Sequence, residues 1–229
     1  MSLSLDCRAC GQVYVVKCTG KIVTGEDATT LQAALNCAVM EFHHMVLDVS
    51  ETTRLDSTGM GLLVRFLTHT RNRGGDLRLA APQPFFRTLL EMTKLSSIFR
   101  IYDSEEEAIV SFLKEPGELH PLPKGVGPLV LFVDRSPDLC AFVRTLLDHQ
   151  GYVVISTCRL RDAKILLSAS EVAYIVLGPD SSELPSDNAV ESLKLLAPKA
   201  VTVQLDRGFE QGDPESASQE LLRRMQAQA

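Results

Sequence analysis

The stretch from Met45 to Leu67 constrains the fold of this chain more than any other segment. Its first part, residues 45–49, is apolar and has the composition of a strand buried on both faces. Its last part, from Met60 onward, carries apolar residues at helical spacing and predicts a helix that ends at Gly74-Gly75. The polar residues between these parts predict a short turn. The sequence therefore places the start of a helix, at Asp56-Ser57-Thr58-Gly59, soon after a buried strand.

The chemistry of this helix start allows two interpretations. Asp56 and Ser57 have side-chain oxygens that accept the free N–H groups of a first helical turn, so both are suitable capping residues. Gly59 and Gly61 have no side chain, and we expect the backbone there to be open to close approach by another molecule. A phosphate on Ser57 would be tolerated by the positive end of the helix. In the alternative interpretation, Ser57 and Thr58 only cap the helix.

Four motifs around this stretch occur in one order. They are G-K-I-V from Gly20, V-L-D-V-S-x(5)-D-S-T-G-M-G-L-L from Val46, G-G-D-L-R-L from Gly74 and F-R-T-L-L-x(4)-L-x(2)-I-F-x-I from Phe86. Together they resemble the STAS domain, the fold of the anti-sigma factor antagonists, from about Ser2 to Lys114. The resemblance implies an α/β domain at residues 1–115, in which a mixed sheet carries its helices on one side.

The resemblance also implies a regulatory site. In that family the first hydroxyl residue after the Asp is phosphorylated by a partner anti-sigma factor that is also a serine kinase. By position, the phosphoacceptor is Ser57, with Thr58 beside it. Unphosphorylated antagonists bind the anti-sigma factor and free the sigma factor, whereas phosphorylated antagonists release it. The predicted partner-binding surface consists of Asp56, Ser57, Thr58, Gly59, Met60, Gly61, Thr24 and Glu26.

One position departs from the family pattern. Many antagonists carry an acidic residue shortly after the Gly that opens the first motif. Here Gly20-Lys21-Ile22 is followed by Val23, and the nearest acids are Glu26 and Asp27. The departure favours a second hypothesis, in which the domain is a phosphorylation-independent scaffold or an accessory subunit of a transporter or signalling complex. A homodimer is compatible with either hypothesis.

The composition changes between Glu115 and Gly127, where three prolines and three glycines fall within thirteen residues. This composition predicts a partly stiff linker at residues 116–127. Residues 128–229 then alternate predicted strands and helices, which indicates a parallel sheet with helices on both faces. The opening V-L-F-V-D-R-S-P-D-L resembles a response-regulator receiver domain. That resemblance implies a flavodoxin-like fold, shortened because few residues follow Leu205.

The receiver-like half lacks the residues that receiver chemistry needs. Working receivers hold magnesium with two acids after the first strand, but the pair here is Asp134-Arg135, and a guanidinium has no lone pair for a metal. Gly178 stands where an Asp accepts the phosphoryl group, and Gln204 stands where a switch hydroxyl is expected. We therefore expect no phosphoryl transfer at this pocket. A packing or dimerisation module is the main prediction, and a ligand or partner site in the same cleft is the alternative.

The charge and hydropathy of the chain exclude several classes of protein. The net charge is −6, so no basic footprint for direct nucleic-acid binding is present. No apolar run approaches the length of a transmembrane helix. The N-terminal residues have neither the basic start nor the long apolar core of a secretory signal. These features predict a cytoplasmic protein that does not insert into a membrane.

The cysteines and acids do not form a convincing metal or catalytic site. Cys7 and Cys10 form a single C-x-x-C, and no second ligand pair completes a zinc site, so ordinary reduced cysteines are expected. Residues 105–107 are three consecutive acids that we interpret as the solvated first turn of a helix. No catalytic triad, P-loop or dinucleotide motif is visible. We therefore expect a non-enzymatic regulator without a cofactor; an enzyme that uses Cys7 or Cys10 is the weakest alternative.

Overall fold

A computed structural model describes residues 2–114, 127–179, 181, 188–206, 209 and 214–227. The chain divides into two compact units, Met1–Leu122 and Pro123–Ala229. The predicted linker at 116–127 lies outside the described residues except for Gly127.

The first unit is built on a five-stranded mixed sheet. Its strands are ordered β5-β4-β3-β2-β1, and only the β1–β2 pair is antiparallel. The elements are β1 Ser4–Cys10, β2 Val13–Ile22, α1 Glu26–Glu41, β3 His44–Leu55, α2 Ser57–Asn72, β4 Asp76–Ala80, α3 Pro84–Met92, a 3-10 turn Leu95–Ser97, β5 Arg100–Tyr102 and α4 Glu105–Lys114. The predicted mixed sheet is therefore confirmed. The turn that joins β1 to β2 contains Gly11 at a φ of 59°, a value that favours glycine.

The third strand is longer than the sequence predicts. Residues 51–55 were expected to form a turn, but they extend β3 and pair with β2, as far as Leu55 opposite Ile22. β4 pairs with β3 only from His44 to Asp48, so this extension has a partner on one side alone. Its side chains are mostly exposed, which explains why its composition resembles that of a turn.

The helices of the first unit cover both faces of the sheet, so the prediction of helices on one side is wrong. Leu77 and Leu79 of β4 belong to the core that contains the buried residues of α1, α2 and α3. Because side chains alternate along a strand, Arg78 faces the other way. Its guanidinium carbon lies 3.7 Å from the centroid of the Phe112 ring of α4, and it hydrogen-bonds to Ser111. α4 therefore packs on the opposite face.

The acids that open α4 are not a solvated face. Glu105 is buried, with 6% of its side chain exposed, and lies 2.6 Å from the guanidinium of Arg8 on β1. Two of its carboxylate–guanidinium contacts are hydrogen bonds. Glu107 is exposed and acts in the predicted capping box, in which its N–H donates to Ser104 Oγ at 3.1 Å. The expectation of a solvated turn is therefore wrong at Glu105, because β1 brings a buried partner charge to that position.

The second unit contains a parallel sheet in its described part. Its strands are ordered β7-β6-β8-β9, with β6 paired to both β7 and β8. The elements are β6 Leu129–Val133, α5 Pro137–Asp148, β7 Val153–Thr157, α6 Leu160–Ala169, β8 Tyr174–Leu177, α7 Asn188–Leu196, β9 Val201–Gln204 and α8 Pro214–Ala227. This is the order of the first four strands of a flavodoxin-like sheet. Buried residues of α5 and α8 share one core with the sheet, while α6 packs on β6 and β7 with its buried residues outside that core.

Candidate functional site

The predicted helix start lies at the junction between β3 and α2, where Ser57 and Thr58 are exposed. β3 ends at Leu55 and α2 begins at Ser57, so Asp56 is the N-cap residue. Asp56 Oδ1 accepts a hydrogen bond from the N–H of Gly59 at 2.9 Å. This bond satisfies one of the free amides of the first turn. The predicted capping role is confirmed for Asp56, whereas Ser57 is the first helical residue.

Thr24, in the loop after β2, connects to this helix start. Asp56 Oδ2 accepts from the Thr24 N–H at 2.8 Å and from its hydroxyl at 2.9 Å. The Thr24 hydroxyl also lies 2.7 Å from Thr58 Oγ1. A hydroxyl has one proton, and an ionised carboxylate can only accept, so Thr24 donates to Asp56 and accepts from Thr58. The hydroxyl of Thr58 is therefore held by an intramolecular bond.

Asp56 is ionised under ordinary conditions. The N–H groups of Gly59 and Thr24 donate to its carboxylate and hold its pKa below the usual value for an Asp. Hydrogen bonds to the charged form of a carboxyl stabilise that form. The start of α2 therefore carries a fixed negative charge whose two oxygens both have intramolecular donors.

Ser57 differs from Thr58 in its contacts. Both side chains are exposed. Within the described part of the chain, the Ser57 hydroxyl has no hydrogen-bond partner, whereas the Thr58 hydroxyl is bound to Thr24. Of the two predicted phosphoacceptors, only Ser57 presents a hydroxyl that can be approached without first breaking an intramolecular bond.

The two glycines of the motif serve different purposes. A Cβ on Gly59 would lie 2.4 Å from the carbonyl oxygen of Ile22 and 2.8 Å from the Leu55 side chain. Gly59 is buried, so the expectation that it is open to another molecule is wrong, because α2 uses the missing side chain to pack against the end of β2. A Cβ on Gly61 would meet nothing within 4 Å. The expected open approach therefore holds only at Gly61.

The remaining two predicted partner-binding residues lie at the margins of this surface. Met60 is half-buried and packs against the core of the first unit, while its N–H donates to the Asp56 carbonyl in the first helical hydrogen bond. Glu26 is the first residue of α1 and is exposed. No hydrogen bond between Glu26 and the Asp56 cluster is present among the described residues. Sequence reasoning named Thr24 but not its role, which depends on a contact between distant segments.

The predicted receiver pocket lies at the carboxyl edge of the second sheet, and the side chain of Asp134 occupies it. Register places Val133, Leu177 and Gln204 side by side at the carboxyl edge of the second sheet. Asp134 follows at this edge, is 1% exposed, and accepts a 2.7 Å hydrogen bond from the N–H of Ser136.

Gly178 is the position at which a receiver would carry its acceptor Asp. A Cβ there would lie 2.1 Å from Asp134 Oδ2, so the carboxylate of Asp134 occupies the space that a side chain at 178 needs. Arg135 and Gln204 are both exposed. The structure thus brings Asp134 and Gly178 into contact and leaves Arg135 and Gln204 at the surface of the same edge.

Sequence reasoning missed a pair of thiols at this edge. Cys140 lies in the first half of α5 and Cys158 directly follows β7; Cys158 packs against the core that contains Cys140, and the two thiols are close enough to influence each other's pKa. They share no C-x-x-C spacing. The only sequence signal was that Cys158 directly follows one strand and Cys140 lies in the first half of the helix after another, near the edge where side chains converge in a parallel sheet.

In the part of the chain that the structure describes, no group of three His, Cys, Asp or Glu side chains is arranged to hold a metal ion. Within the same residues, no helix has both the length and the apolar character needed to cross a bilayer.

The segment that contains the Asp56 helix start has relatives among known proteins. Residues 5–108 match the STAS domain family. Over 110 residues the chain is 24% identical to the anti-sigma F factor antagonist of Paenibacillus polymyxa, a similarity that covers 48% of this chain and 94% of that protein. The expected likeness to the STAS family is therefore confirmed for residues 5–108.

Two solved structures are similar over the same half of the chain. An anti-sigma factor antagonist from Mycobacterium paratuberculosis is 24% identical, with 48% of this chain and 93% of that chain covered and a TM-score of 0.43. The Bacillus cell fate determinant SpoIIAA in its phosphorylated form is 19% identical, with 47% of this chain and 96% of that chain covered and a TM-score of 0.40. Both similarities concern the first unit.

Proposed function

We propose that the first unit is a non-enzymatic partner-switch regulator of the anti-sigma factor antagonist type, controlled by phosphorylation of Ser57. The observation that carries the proposal is the exposed Ser57 hydroxyl, which has no hydrogen-bond partner among the described residues and sits on a helix start fixed by Asp56 and Thr24. The STAS match over residues 5–108 and the relative named as an anti-sigma F factor antagonist support the partner class.

The expected partner is an anti-sigma factor that is also a serine kinase. In the unmodified state, the surface from Asp56 to Gly61 binds this partner, and the exposed Gly61 allows its backbone to approach closely. Because such a kinase needs ATP, the proposed location is the cytoplasm. Direct contact with nucleic acid is not part of the mechanism, since the chain carries a net charge of −6.

Phosphorylation would change this surface without unfolding it. A phosphoserine carries nearly two negative charges at neutral pH and is tolerated in the first turn of a helix, where amide N–H groups are free. Ser57 directly follows the ionised Asp56, so the modified surface would concentrate negative charge at one point. A partner that buries this surface must then desolvate that charge, which weakens binding.

Thr58 serves a different role in this mechanism. Its hydroxyl donates to Thr24, which in turn holds Asp56. Thr58 therefore helps to fix the geometry that presents Ser57. Substitution of Thr58 by Ala is expected to leave the phosphoacceptor in place.

We propose that the second unit contributes packing or dimerisation and does not undergo aspartyl phosphorylation. The observation in support is that Asp134 fills the space beside Gly178, where a phosphoacceptor side chain would have to stand. Phosphoryl transfer to a carboxylate also needs hard oxygen ligands for magnesium, and Arg135 is a cation.

The experiment is affinity capture from the native cell extract with four full-length baits: the wild type, Ser57→Ala, Ser57→Asp and Thr58→Ala. We expect the wild type, Ser57→Ala and Thr58→Ala to capture a soluble ATP-binding kinase, and Ser57→Asp to capture it at least tenfold less. In the native protein, mass spectrometry is expected to find phosphate on Ser57 in the tryptic peptide Leu55–Arg65.

A matched control distinguishes an effect of modifying Ser57 from a general effect of adding a negative charge to the surface. Ser96 is also exposed, on the 3-10 turn that precedes β5, and Ser96→Asp is expected to capture the kinase as well as the wild type does. Equal capture by Ser57→Ala and Ser57→Asp would refute the switch. Capture of a transporter, together with an unmodified Leu55–Arg65 peptide, would support the scaffold hypothesis instead.

A further inference from the structure

Two cysteines from different elements meet at the carboxyl edge of the second sheet. Along β7, Val154 belongs to the core beneath α5, and Ser156 Oγ accepts a 2.7 Å hydrogen bond from Arg144 of α5. Because alternate residues of a strand share a face, Cys158 also faces α5. Cys140 lies on α5 in the same core, which Cys158 contacts from its margin.

The two thiols are unequal in exposure. Cys140 is 6% exposed, its thiol donates a hydrogen bond to the carbonyl oxygen of Asp134 at 3.6 Å, and it is close enough to Cys158 to affect the pKa of that thiol. Cys158 is only partly buried. A reagent from solvent therefore reaches Cys158 first, because Cys140 lies within the core against which Cys158 packs.

We propose that Cys158 and Cys140 form a reversible redox modification site, at which a hydroperoxide oxidises Cys158 and Cys140 then closes a disulfide. In the first step, the Cys158 thiolate attacks the terminal peroxide oxygen, the O–O bond breaks, and the alkoxide or hydroxide leaves, which yields a sulfenic acid. In the second step, the sulfur of the Cys140 thiol attacks the Cys158 sulfur, an S–S bond forms, the S–O bond breaks, and the departing hydroxide takes the Cys140 proton and leaves as water. The dithiol loses two electrons and two protons in total.

The electrostatic environment assigns the order of the two steps. The hydrogen bond from Cys140, together with the nearby Arg159 guanidinium, lowers the pKa of Cys158 to about 7, against the opposing effects of burial, Asp134 and Asp162. The same hydrogen bond, together with burial and the nearby Asp134, raises the pKa of Cys140. Cys158 is therefore the thiol that is ionised near neutral pH, and the thiolate is the reactive form.

The other thiols of known pKa direction provide a contrast within the same chain. Burial raises the pKa of Cys7 and of Cys18. These groups stay protonated at neutral pH and are expected to react slowly with peroxide. An experiment on the full chain can therefore compare how fast peroxide oxidises the Cys158–Cys140 pair and the other cysteines.

The test uses the reduced full-length protein treated with one equivalent of hydrogen peroxide, blocked with an alkylating reagent and digested without reduction. Trypsin separates the two cysteines into the peptides Ser136–Arg144 and Thr145–Arg159. We expect these peptides to be recovered as a disulfide-linked pair, two hydrogens lighter than their sum. We also expect the rate to rise by about tenfold between pH 6 and pH 8 because the thiolate fraction of Cys158 increases.

Variants assign the roles of the two thiols. Cys158→Ser is expected to abolish the linked pair, while Cys140→Ser should leave a Cys158 sulfenic acid that dimedone traps. If the buried serine impairs folding, Cys140→Ala should still leave a Cys158 sulfenic acid, which forms more slowly because alanine cannot donate the hydrogen bond that lowers the pKa of Cys158. Cys7→Ser and Cys37→Ser are the matched controls and should form the linked pair at the wild-type rate.

Two outcomes would overturn the proposal. One is oxidation of Cys7 or Cys37 as fast as that of Cys158, and the other is the absence of the linked pair when Cys158 is fully oxidised. The redox site is independent of Ser57, so Ser57→Ala should form the disulfide normally.

Discussion

Asp56 and Asp134 stand at comparable junctions, one in each unit, where a parallel strand leads into a helix. Each carboxylate accepts a backbone N–H from a residue two or three positions later. Asp56 is itself the N-cap, so the next hydroxyl, Ser57, is left exposed. Asp134 precedes the N-cap by two residues, and the cap hydroxyl, Ser136, is occupied by the N–H of Leu139 at 3.2 Å. A shift of two residues in the cap therefore decides whether a hydroxyl is available for modification.

A glycine at each junction leaves room for a close contact, but the two contacts have opposite consequences. Gly59 lacks a side chain because the carbonyl of Ile22 lies where its Cβ would be, and the packing beneath Ser57 depends on that approach. Gly178 lacks a side chain because the carboxylate of Asp134 lies there. In the first unit, the contact of Gly59 with Ile22 holds the helix start that presents Ser57. In the second unit, the contact of Gly178 with Asp134 fills the space that a phosphoacceptor side chain would need.

The largest expected change in unfolding free energy comes from placing an aspartate at position 178, where a working receiver carries its phosphoacceptor. Gly178→Asp would force a second carboxylate against the buried Asp134, and we expect a loss of more than about 3 kcal/mol of unfolding free energy from overpacking and like-charge repulsion. Urea unfolding followed by circular dichroism measures this loss, and hydrogen exchange should confine it to the second unit.

The matched control for this variant adds the same charge at the exposed Gln204. Gln204→Asp should change the free energy of unfolding by no more than about 0.5 kcal/mol. If Gly178→Asp folded with wild-type stability and accepted phosphate from acetyl phosphate and magnesium, the two junctions would be chemically alike and the comparison would fail.

A smaller change in unfolding free energy is expected when either glycine of the first unit's motif, Gly59 or Gly61, is replaced by alanine. Gly59→Ala should cost about 2 kcal/mol, since its Cβ collides with the backbone of Ile22, which cannot move aside as a flexible side chain can. Gly61→Ala should instead stabilise the protein by up to about 1 kcal/mol, because Ala is the better helix former and meets nothing there. The same urea experiment compares them, and equal effects from both variants would show that α2 does not pack as described.

The smallest effect concerns the charge of Asp56. Asp56→Asn keeps one capping oxygen but loses the acceptor for Thr24, and we expect a cost of about 1 kcal/mol at pH 7. The folded pKa of Asp56 lies below its ordinary value of 3.8, so this stabilisation is complete above that pH and is lost as the pH falls through the lowered pKa.

Unfolding free energies of the wild type and Asp56→Asn should therefore differ by a constant amount down to about pH 4 and converge at lower pH. Glu41→Gln, at an exposed position, is the control and should differ little from the wild type throughout. A difference between the wild type and Asp56→Asn that stayed constant at low pH would show that the carboxylate charge has no part in holding Thr24.

Much of the fold could be predicted from local patterns. The alternation of apolar residues located the strands and helices of both units, and the polar residues at Asp56 and Ser104 located two helix starts. The prediction was wrong where a distant partner changed the meaning of a residue. Residues 51–55 look like a turn but pair with β2, and Glu105 looks solvated but meets Arg8.

The sequence by itself determined the order of the elements, the cap at Asp56 and the absence of a carboxylate at Gly178. Each of these depends on the identity of a residue or on contacts within about one helical turn. Only the tertiary structure decided which hydroxyl is unbound, because Thr24 reaches Thr58 across 34 positions of sequence. It also decided that Asp134 fills the place beside Gly178, since the paired strands β6 and β8 end at one edge of the sheet. The approach of Cys140 to Cys158 was decided in the same way, by the packing of α5 on β7.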